Sequence, residues 1–366
     1  MTTLSLSAQA DRFDRSHCND QLSLNLPVPP TPATRPPEER GIARDEVKLL
    51  VLDRRTGRTE HGVFHRLADY LQPGDLLVVN TSKTLAASLP ALLLRGGEPM
   101  RIHLASRITS TTYIVERRDA QGAADERPFQ VGDRIAMGTH HATVIGRFHP
   151  NSRLWYLECN ADLWQLAETI GRPIRYGYLQ SQPDLADFQT VFARDLGSAE
   201  MPSAGRPFTE RVLAGLAKKG IRIAEITLHT GVSSHEVKGA LSDHPFLPEW
   251  YSVPEVTAEL VNEARAQGRR VIAVGTTVVR ALATTTDPAT GLVRSESGWT
   301  TVVITPDTPV PSITGLVTGL HDNDTSHLAM LYAFVQRDAL VAAYTEAVAR
   351  GYLWHEFGDS NLILSC

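Results

Sequence analysis

The sequence predicts an α/β protein that carries a separate all-β section. Three observations predict it. From Asp162 onward, apolar strand-like runs alternate with amphipathic helical stretches. Between Ala86 and about Glu158 the texture differs, with short β-rich pieces and no long helix. The balance of 42% hydrophobic and 21% charged residues over 366 positions is that of a globular chain long enough for two full cores.

The elements follow in order. Residues 27–37 hold six prolines, which exclude a helix or central strand and read as an extended lead-in. Lys48–Asp53 is an apolar run ended by Thr56-Gly57, a strand into a turn. Phe64–Leu71 has helical spacing, with Leu67 and Leu71 on one face, and stops at Pro73-Gly74. Leu76–Asn80 is a second strand. The β-rich pieces are Met100–Leu104, Thr111–Glu116, Asp133–Met137, His141–Gly146 and Leu154–Cys159. Strands at this spacing suit a small antiparallel barrel or a sandwich. Val131-Gly132-Asp133 echoes Pro73-Gly74-Asp75, although two copies do not make a repeat.

In the C-terminal half, Phe188–Ala193 reads as strand-like. Glu210–Lys219 is an amphipathic helix with Thr209 as its cap and Gly220 at its end. Ile221–Leu228 is a strand. Pro254–Gln267 is a helix, with Pro254 near its start and Gly268 closing it. Arg270–Val274 is a strand running into Gly275-Thr276-Thr277, and the next helix carries Arg280 and Leu282. This alternation argues for parallel βαβ units, in which function gathers at the carboxyl ends of strands.

Composition narrows the function classes. Residues 1–10 lack the basic-then-apolar pattern of a secretory signal. The longest apolar runs, such as Val47–Leu52, are too short to span a membrane. Cys18, Cys159 and Cys366 form no CxxC, so neither a disulfide framework nor a zinc site is expected, and a cytoplasmic location fits. A net charge of −5 gives no bulk attraction to nucleic acid. A polyanion would need a local patch: Arg101, Arg107, Arg117 and Arg118, or Lys218, Lys219 and Arg222. The ordinary reading of both is a solvated face.

Two turns are the main candidates for chemistry. Gly275-Thr-Thr-Val-Val-Arg280 places small and hydroxyl residues at a strand end and helix start. Backbone N–H groups there hold a carboxylate, ribose or phosphate, although threonines also cap helices routinely. Gly197–Glu210 is rich in glycine, proline and small residues, which lets a ligand approach the backbone closely. His229, beside Gly231, ends a predicted strand with an imidazole suited to proton handling. His321-Asp322-Asn323-Asp324 with His327 matches no trusted ligand spacing and reads as a polar loop, and His140-His141 is no better.

Taken in order, these segments resemble the S-adenosylmethionine:tRNA ribosyltransferase-isomerase family of queuosine biosynthesis. The matching pieces are Arg44-Asp45, Leu49–Asp53, Leu71–Asn80, Phe188–Ala193 and Gly197-Ser198. They continue with Pro202-Ser-Ala-Gly205, Phe208-Thr-Glu210, Thr227-Leu-His-Thr-Gly231, Tyr251-x-Val-Pro254 and Arg270–Thr277 with Arg280. Gly298-Trp-Thr300 and Gly358-Asp359 complete a collinear series from about residue 44 to 364. The resemblance implies a barrel-like α/β main domain of residues 44–85 and 160–366. Residues 86–159 would form an inserted β-barrel domain, after a lead-in of residues 1–43.

The activity it implies moves the ribosyl part of S-adenosylmethionine onto a 7-aminomethyl-7-deazaguanine base in tRNA. Epoxyqueuosine forms, and adenine and methionine leave. The sulfonium acidifies the C5′ proton, so a base is needed there. The implied proton-handling residues are His229 and His321. The implied substrate-binding residues are Ser203, Ala204, Gly205, Gly275, Thr276, Thr277, Arg280 and Asp359. The partners implied are S-adenosylmethionine as co-substrate and tRNA, with no metal and no membrane.

The chain departs from the family pattern in four places. Its Ser203-Ala-Gly-Arg-Pro-Phe208 stands for Thr-Ala-Gly-Leu-His-Phe, so Pro207 replaces a histidine. Asn80-Thr-Ser-Lys83 stands for Asn-Asp-Thr-Arg, and Arg280-Ala-Leu-Ala283 for Arg-x-Leu-Glu. Gly319–Ser326 keeps His321 but not the following Leu-Pro. Three functions are therefore weighed: the ribosyltransferase-isomerase, a divergent paralogue using S-adenosylmethionine or a related nucleoside on another acceptor, and a non-catalytic tRNA-binding protein on the same scaffold.

Overall fold

Nine strands form the larger sheet. Their order is Glu296–Thr300, Glu249–Val253, Arg222–Leu228, Leu76–Asn80, Val271–Val274, Gly315–Gly319, Ser360–Leu364, Lys48–Asp53 and Thr59–Val63. The structure, a computed structural model, describes residues 24, 26–150, 152–232, 247–308, 310–322 and 325–365. Residues 1–10, Cys18, Asn323, Asp324 and Cys366, which entered the sequence reading, lie outside the described residues.

The strands Arg222–Leu228, Leu76–Asn80, Val271–Val274 and Gly315–Gly319 run parallel to one another, as the alternating pattern predicts. Leu76–Asn80 and Val271–Val274 are buried at every position, because both faces of the sheet are covered. On one face lie the helices Glu255–Ala266, Thr276–Thr285, Ser326–Phe334 and Arg337–Ala349. On the other lie Phe64 and Leu67, from a 3-10 helix over Phe64–Tyr70, and Val212 and Leu216, from the helix Glu210–Lys218. The parallel strands bring their carboxyl ends to one edge. Ser360–Leu364 runs antiparallel to Gly315–Gly319 with Ser360 opposite Gly319, so its start reaches the same edge.

The second sheet closes on itself. Its order is His140–Arg147, Leu154–Cys159, Thr112–Arg118, Glu98–Arg107, Ser88–Leu93 and Arg134–Met137, every pair antiparallel. The β-rich stretch is thus a six-stranded barrel. Five strands fall on the pieces read from the sequence. The sixth, Ser88–Leu93, contains Pro90, which argues against a strand. Pro90 pairs with Arg101 on one side only, and contact with Arg134–Met137 begins at Leu92, so the missing N–H interrupts nothing.

Local chemistry explains the boundaries. Thr209 Oγ1 accepts the Val212 N–H, the expected N-cap of Glu210–Lys218. The echo of Pro73-Gly74-Asp75 in Val131-Gly132-Asp133 is one turn built twice. Gly74 and Gly132 have φ of 88° and 92°, the third position of a type II turn. Asp75 and Asp133 each accept the N–H three residues back, at 2.7 and 2.8 Å, and each holds an arginine, Arg270 or Arg95.

Phe188–Ala193 is not a strand. Asp184 and Asp187 close a capping box that draws Leu185–Phe188 into a 3-10 turn. The strand comes later, at Asp195–Ser198, parallel to Ser82–Thr84. The first cationic group is not a solvated face, whereas the second stays at the surface. Arg117 is buried between Glu98 and Asp125, Arg118 pairs with Glu116, and Arg107 lies over Trp164 and pairs with Asp162. Lys219 donates to the Ala68 carbonyl and Arg222 pairs with Glu263.

Candidate functional site

The turns that leave the parallel strands build the site. Thr81-Ser82, His229, Gly275 and Leu320-His321 follow the four strand ends, and Asp359 precedes Ser360 at the same edge. Asn80 ties three of these segments together. Its Oδ1 accepts the Ser82 and Leu228 N–H groups at 3.0 Å each. Its Nδ2 donates to the Leu228 carbonyl at 2.9 Å and to Thr277 Oγ1 at 3.1 Å. This buried amide makes two bonds on each end and fixes the exits of two strands against the start of a helix.

His229 stands in an aromatic cage. Its ring stacks on Trp250 at 5.3 Å and meets the edge of Trp164 at 5.8 Å. Gly197 backs the other side: a Cβ there would stand 2.6 Å from three ring atoms. His229 Nδ1 lies 2.7 Å from Ser82 Oγ, which lies 2.6 Å from Ser198 Oγ, and Ser198 Oγ accepts the Thr230 N–H at 3.0 Å. Burial holds the imidazole down at about 4, against a small opposing pull from Asp195. It is therefore neutral at physiological pH.

Part of the loop Gly197–Glu210 lines an open cleft. Ser203, Ala204, Arg206 and Pro207 of this loop line it together with Gly319 and the run His355 to Ser360. Pro37, Arg44 and Val47 complete the lining from the N-terminal side. That segment is clamped down. Arg206 donates to Glu38 Oε2 at 3.0 Å and to the Asp187 carbonyl, and its guanidinium lies 4.7 Å from the Phe357 ring centroid. Asp45 accepts from Thr209 and Arg211. Burial pushes the Glu38 carboxyl up, but Arg206 and Arg44 outweigh it and hold the group below its usual range.

Gly275 is the N-cap of Thr276–Thr285, with φ of 96°, a conformation in which glycine is favoured. A Cβ there would meet Ala204 at 3.3 Å, so this turn adjoins the Ser203-Ala204-Gly205 turn. Among the described residues no side chain caps the helix, which leaves its first amides for a ligand. Thr277 serves Asn80 instead. Arg280 does not face the cleft as an open anchor. It reaches buried Glu249 and donates to the Val302 carbonyl.

His321 Nε2 lies 2.7 Å from Thr318 Oγ1, with its ring 4.9 Å from that of His327. Burial, and then the charges of His327 and His355, hold it well below the usual range. Asp359 spends both oxygens on backbone, accepting Lys48 N–H at 2.6 Å and Leu353 N–H at 2.8 Å. The structure thus gathers Ser203, Ala204 and Asp359 at the cleft, with Gly205 and Gly275 against its wall. His229 sits in its own cage. No group of three or more metal-type ligands is present among the described residues.

Two cleft residues carried no sequence signal. His355 has φ of 73°, stacks on Tyr178 at 4.4 Å and pairs with Asp322 at 3.4 Å. Glu356 accepts the Tyr178 hydroxyl, and burial raises its carboxyl to about 7. Ser82 and Glu249 are tertiary partners whose sequence neighbours give no hint of them.

A cleft at the carboxyl edge of a parallel sheet is where α/β proteins bind small ligands. Residues 21–363 match the family described as queuosine biosynthesis protein, and the chain belongs to that family. It is 36% identical over 343 residues to an S-adenosylmethionine:tRNA ribosyltransferase-isomerase of Moorella thermoacetica, covering 92% of this chain and 97% of the relative. A relative of the same name from Staphylococcus saprophyticus is 32% identical, over 88% of this chain and 94% of its own. A crystal structure of an S-adenosylmethionine tRNA ribosyltransferase from Thermotoga maritima is similar at 28% identity and a TM-score of 0.48, over 95% of this chain and 99% of that one.

Proposed function

We propose that this protein is an S-adenosylmethionine:tRNA ribosyltransferase-isomerase. It would transfer the ribosyl moiety to a 7-aminomethyl-7-deazaguanine base in tRNA, giving epoxyqueuosine and releasing adenine and methionine. The observation that carries the reading is the cleft at the carboxyl edge of the parallel strands, where the Ser203-Ala204-Gly205 turn meets the uncapped helix start at Gly275. Small residues on both turns leave backbone amides within reach of a nucleoside and its methionine tail.

The reaction asks for two kinds of group. One takes the C5′ proton made acidic by the sulfonium. The other offers hydrogen bonds to the departing adenine or to developing charge. His229 and His321 are the imidazoles at the strand ends. Glu356 and His355 stand in the cleft lining and add a carboxyl that titrates near neutrality. Pro207 has no imidazole to offer, and His355 lines the same cleft.

Incubation with S-adenosylmethionine and tRNA bearing the 7-aminomethyl-7-deazaguanine base tests the reading. Adenine and methionine are expected in equal amounts. A folded preparation that releases neither overturns it. A second reading, a paralogue acting on another acceptor, is favoured by Arg206 and Pro207 in the cleft wall. It would show as tight S-adenosylmethionine binding without turnover on this tRNA.

A further inference from the structure

The geometry points to His229 carrying its proton on Nε2 as a fixed hydrogen-bond donor, with Ser198 and Ser82 setting that tautomer. The inference rests on the proposed function for what the donor meets, but not for the tautomer itself.

The argument is a count of protons along one buried chain. Ser198 is fully buried, and its hydroxyl oxygen already accepts the Thr230 N–H at 3.0 Å. Its own proton needs an acceptor. Among the described residues the only partner besides Thr230 is Ser82 Oγ, at 2.6 Å. Ser198 therefore donates to Ser82. Ser82 is buried as well, and among the described residues its proton in turn has only His229 Nδ1, at 2.7 Å, to receive it. Nδ1 must then be the bare, accepting nitrogen, and in a neutral ring the proton sits on Nε2.

The reverse direction fails at the far end. If His229 donated from Nδ1 to Ser82, then Ser82 would donate to Ser198 or to nothing. Either way one fully buried hydroxyl would hold a proton with no acceptor, an arrangement that folded proteins avoid. The cage supports a single ring state. Trp250 stacks on the ring and Gly197 backs it, so a flip that exchanges the nitrogens would have to push past both. The surrounding apolar rings also disfavour a second proton, and Asp195, the one charged group that pulls the other way, hydrogen-bonds to Thr81 and Thr227 rather than to the imidazole.

The consequence is a division of labour. A neutral ring with its proton on Nε2 gives a hydrogen bond to an acceptor atom of a ligand that reaches it, such as a purine ring nitrogen or a carboxylate oxygen. It cannot take a proton through that atom. The base for C5′ must be another group, and Ser82 and Ser198 are positioning residues that act through His229.

Histidine labelled with 15N reports the tautomer directly, in the full chain without ligand. The His229 signal is identified by its loss in His229→Gln. An accepting-type Nδ1 and a protonated Nε2 are expected, and a protonated Nδ1 overturns the inference. Ser82→Ala should shift the pair of nitrogen signals toward a tautomer mixture, and Ser82→Thr should restore it. An unchanged spectrum in Ser82→Ala removes Ser82 from the relay. Kinetics give a second reading. The side-chain amide of His229→Gln places N–H groups near the Nε2 position, whereas His229→Asn places them near Nδ1. His229→Gln should keep the larger share of adenine release, by up to about a hundredfold. Equal loss in the two variants overturns the donor role. Wild-type protein that releases no adenine sinks the proposed function but leaves the labelled-nitrogen result standing.

Discussion

Glu249 joins Arg280 to Gly231: one carboxylate oxygen takes the Arg280 guanidinium and the other accepts the Gly231 N–H at 2.8 Å. The side chain of Glu249 is 2% exposed and that of Arg280 is 18% exposed. The arginine that the family resemblance implies as substrate-binding is thus held by the protein's own carboxylate. It pins the strand Glu249–Val253 to the helix Thr276–Thr285. Removing one member of such a pair strands the other, so Arg280→Met is expected to cost about 3–5 kcal/mol. The double change Arg280→Met with Glu249→Gln should recover part of this. A double-mutant cycle in urea should give a coupling of about 1–3 kcal/mol.

Asn80 serves two acceptors and two donors at once, which makes Asn80→Asp a sharp test. The variant keeps Oδ1 but replaces the Nδ2 donor with a second oxygen, which faces the Leu228 carbonyl at the 2.9 Å now occupied by a hydrogen bond. Thr277 Oγ1 can turn its proton to the new oxygen, but the carbonyl cannot. A buried acceptor without a donor costs about 1–3 kcal/mol, and the added charge costs more unless it is protonated. Urea unfolding at pH 7 should show the loss, and it should shrink at pH 4 as the carboxyl takes up a proton.

These two sites show what a single sequence carries. Strand ends were readable because apolar runs such as Leu76–Asn80 and Val271–Val274 stop at small or polar residues, and the parallel order followed from alternation. The barrel was readable as β from its punctuation, but the strand around Pro90 was not. Its acceptability depends on having one neighbour at that point, a fact of three dimensions. Ser82, Glu249 and Glu38 escaped for the same reason. Each acts through a partner far away in the chain: Ser82 on His229, Glu249 on Arg280, and Glu38 on Arg206. The lead-in prolines gave no sign that Pro37, the last of them, and the residues just after it would line a cleft.

Glu356 makes stability depend on pH in a direction opposite to that of most carboxyls. Burial raises it to about 7 from an unfolded value near 4.5, and Tyr178, Tyr176 and His355 are the groups around it. Between those two values the native state binds more protons than the unfolded chain. The contribution is whole below pH 4.5 and is lost as pH rises through 7. Glu356→Gln removes the titration. The gap between wild type and variant in urea unfolding should therefore shift by on the order of 3 kcal/mol in the variant's favour from pH 4 to pH 8. A gap that stays flat over that range would mean that the carboxyl is not raised.

Gly197→Ala tests whether the cage holds His229 in place. Gly197 is not needed for an unusual φ, so strain in the backbone is not the issue. The added methyl would stand 2.6 Å from Cγ, Cδ2 and Cε1 of the imidazole, well inside contact distance. The ring has nowhere easy to go. Trp250 is stacked beyond it, Trp164 meets its edge, and moving it lengthens the 2.7 Å bond to Ser82. Overpacking of this kind costs about 1–3 kcal/mol, so the protein should stay folded with a lower midpoint in thermal unfolding. Adenine release should fall further than stability does, by tenfold or more on the order of a lost donor, because the imidazole is displaced rather than removed. Gly197→Ala with unchanged His229 nitrogen shifts and unchanged turnover would show that the cage does not set the position of this ring.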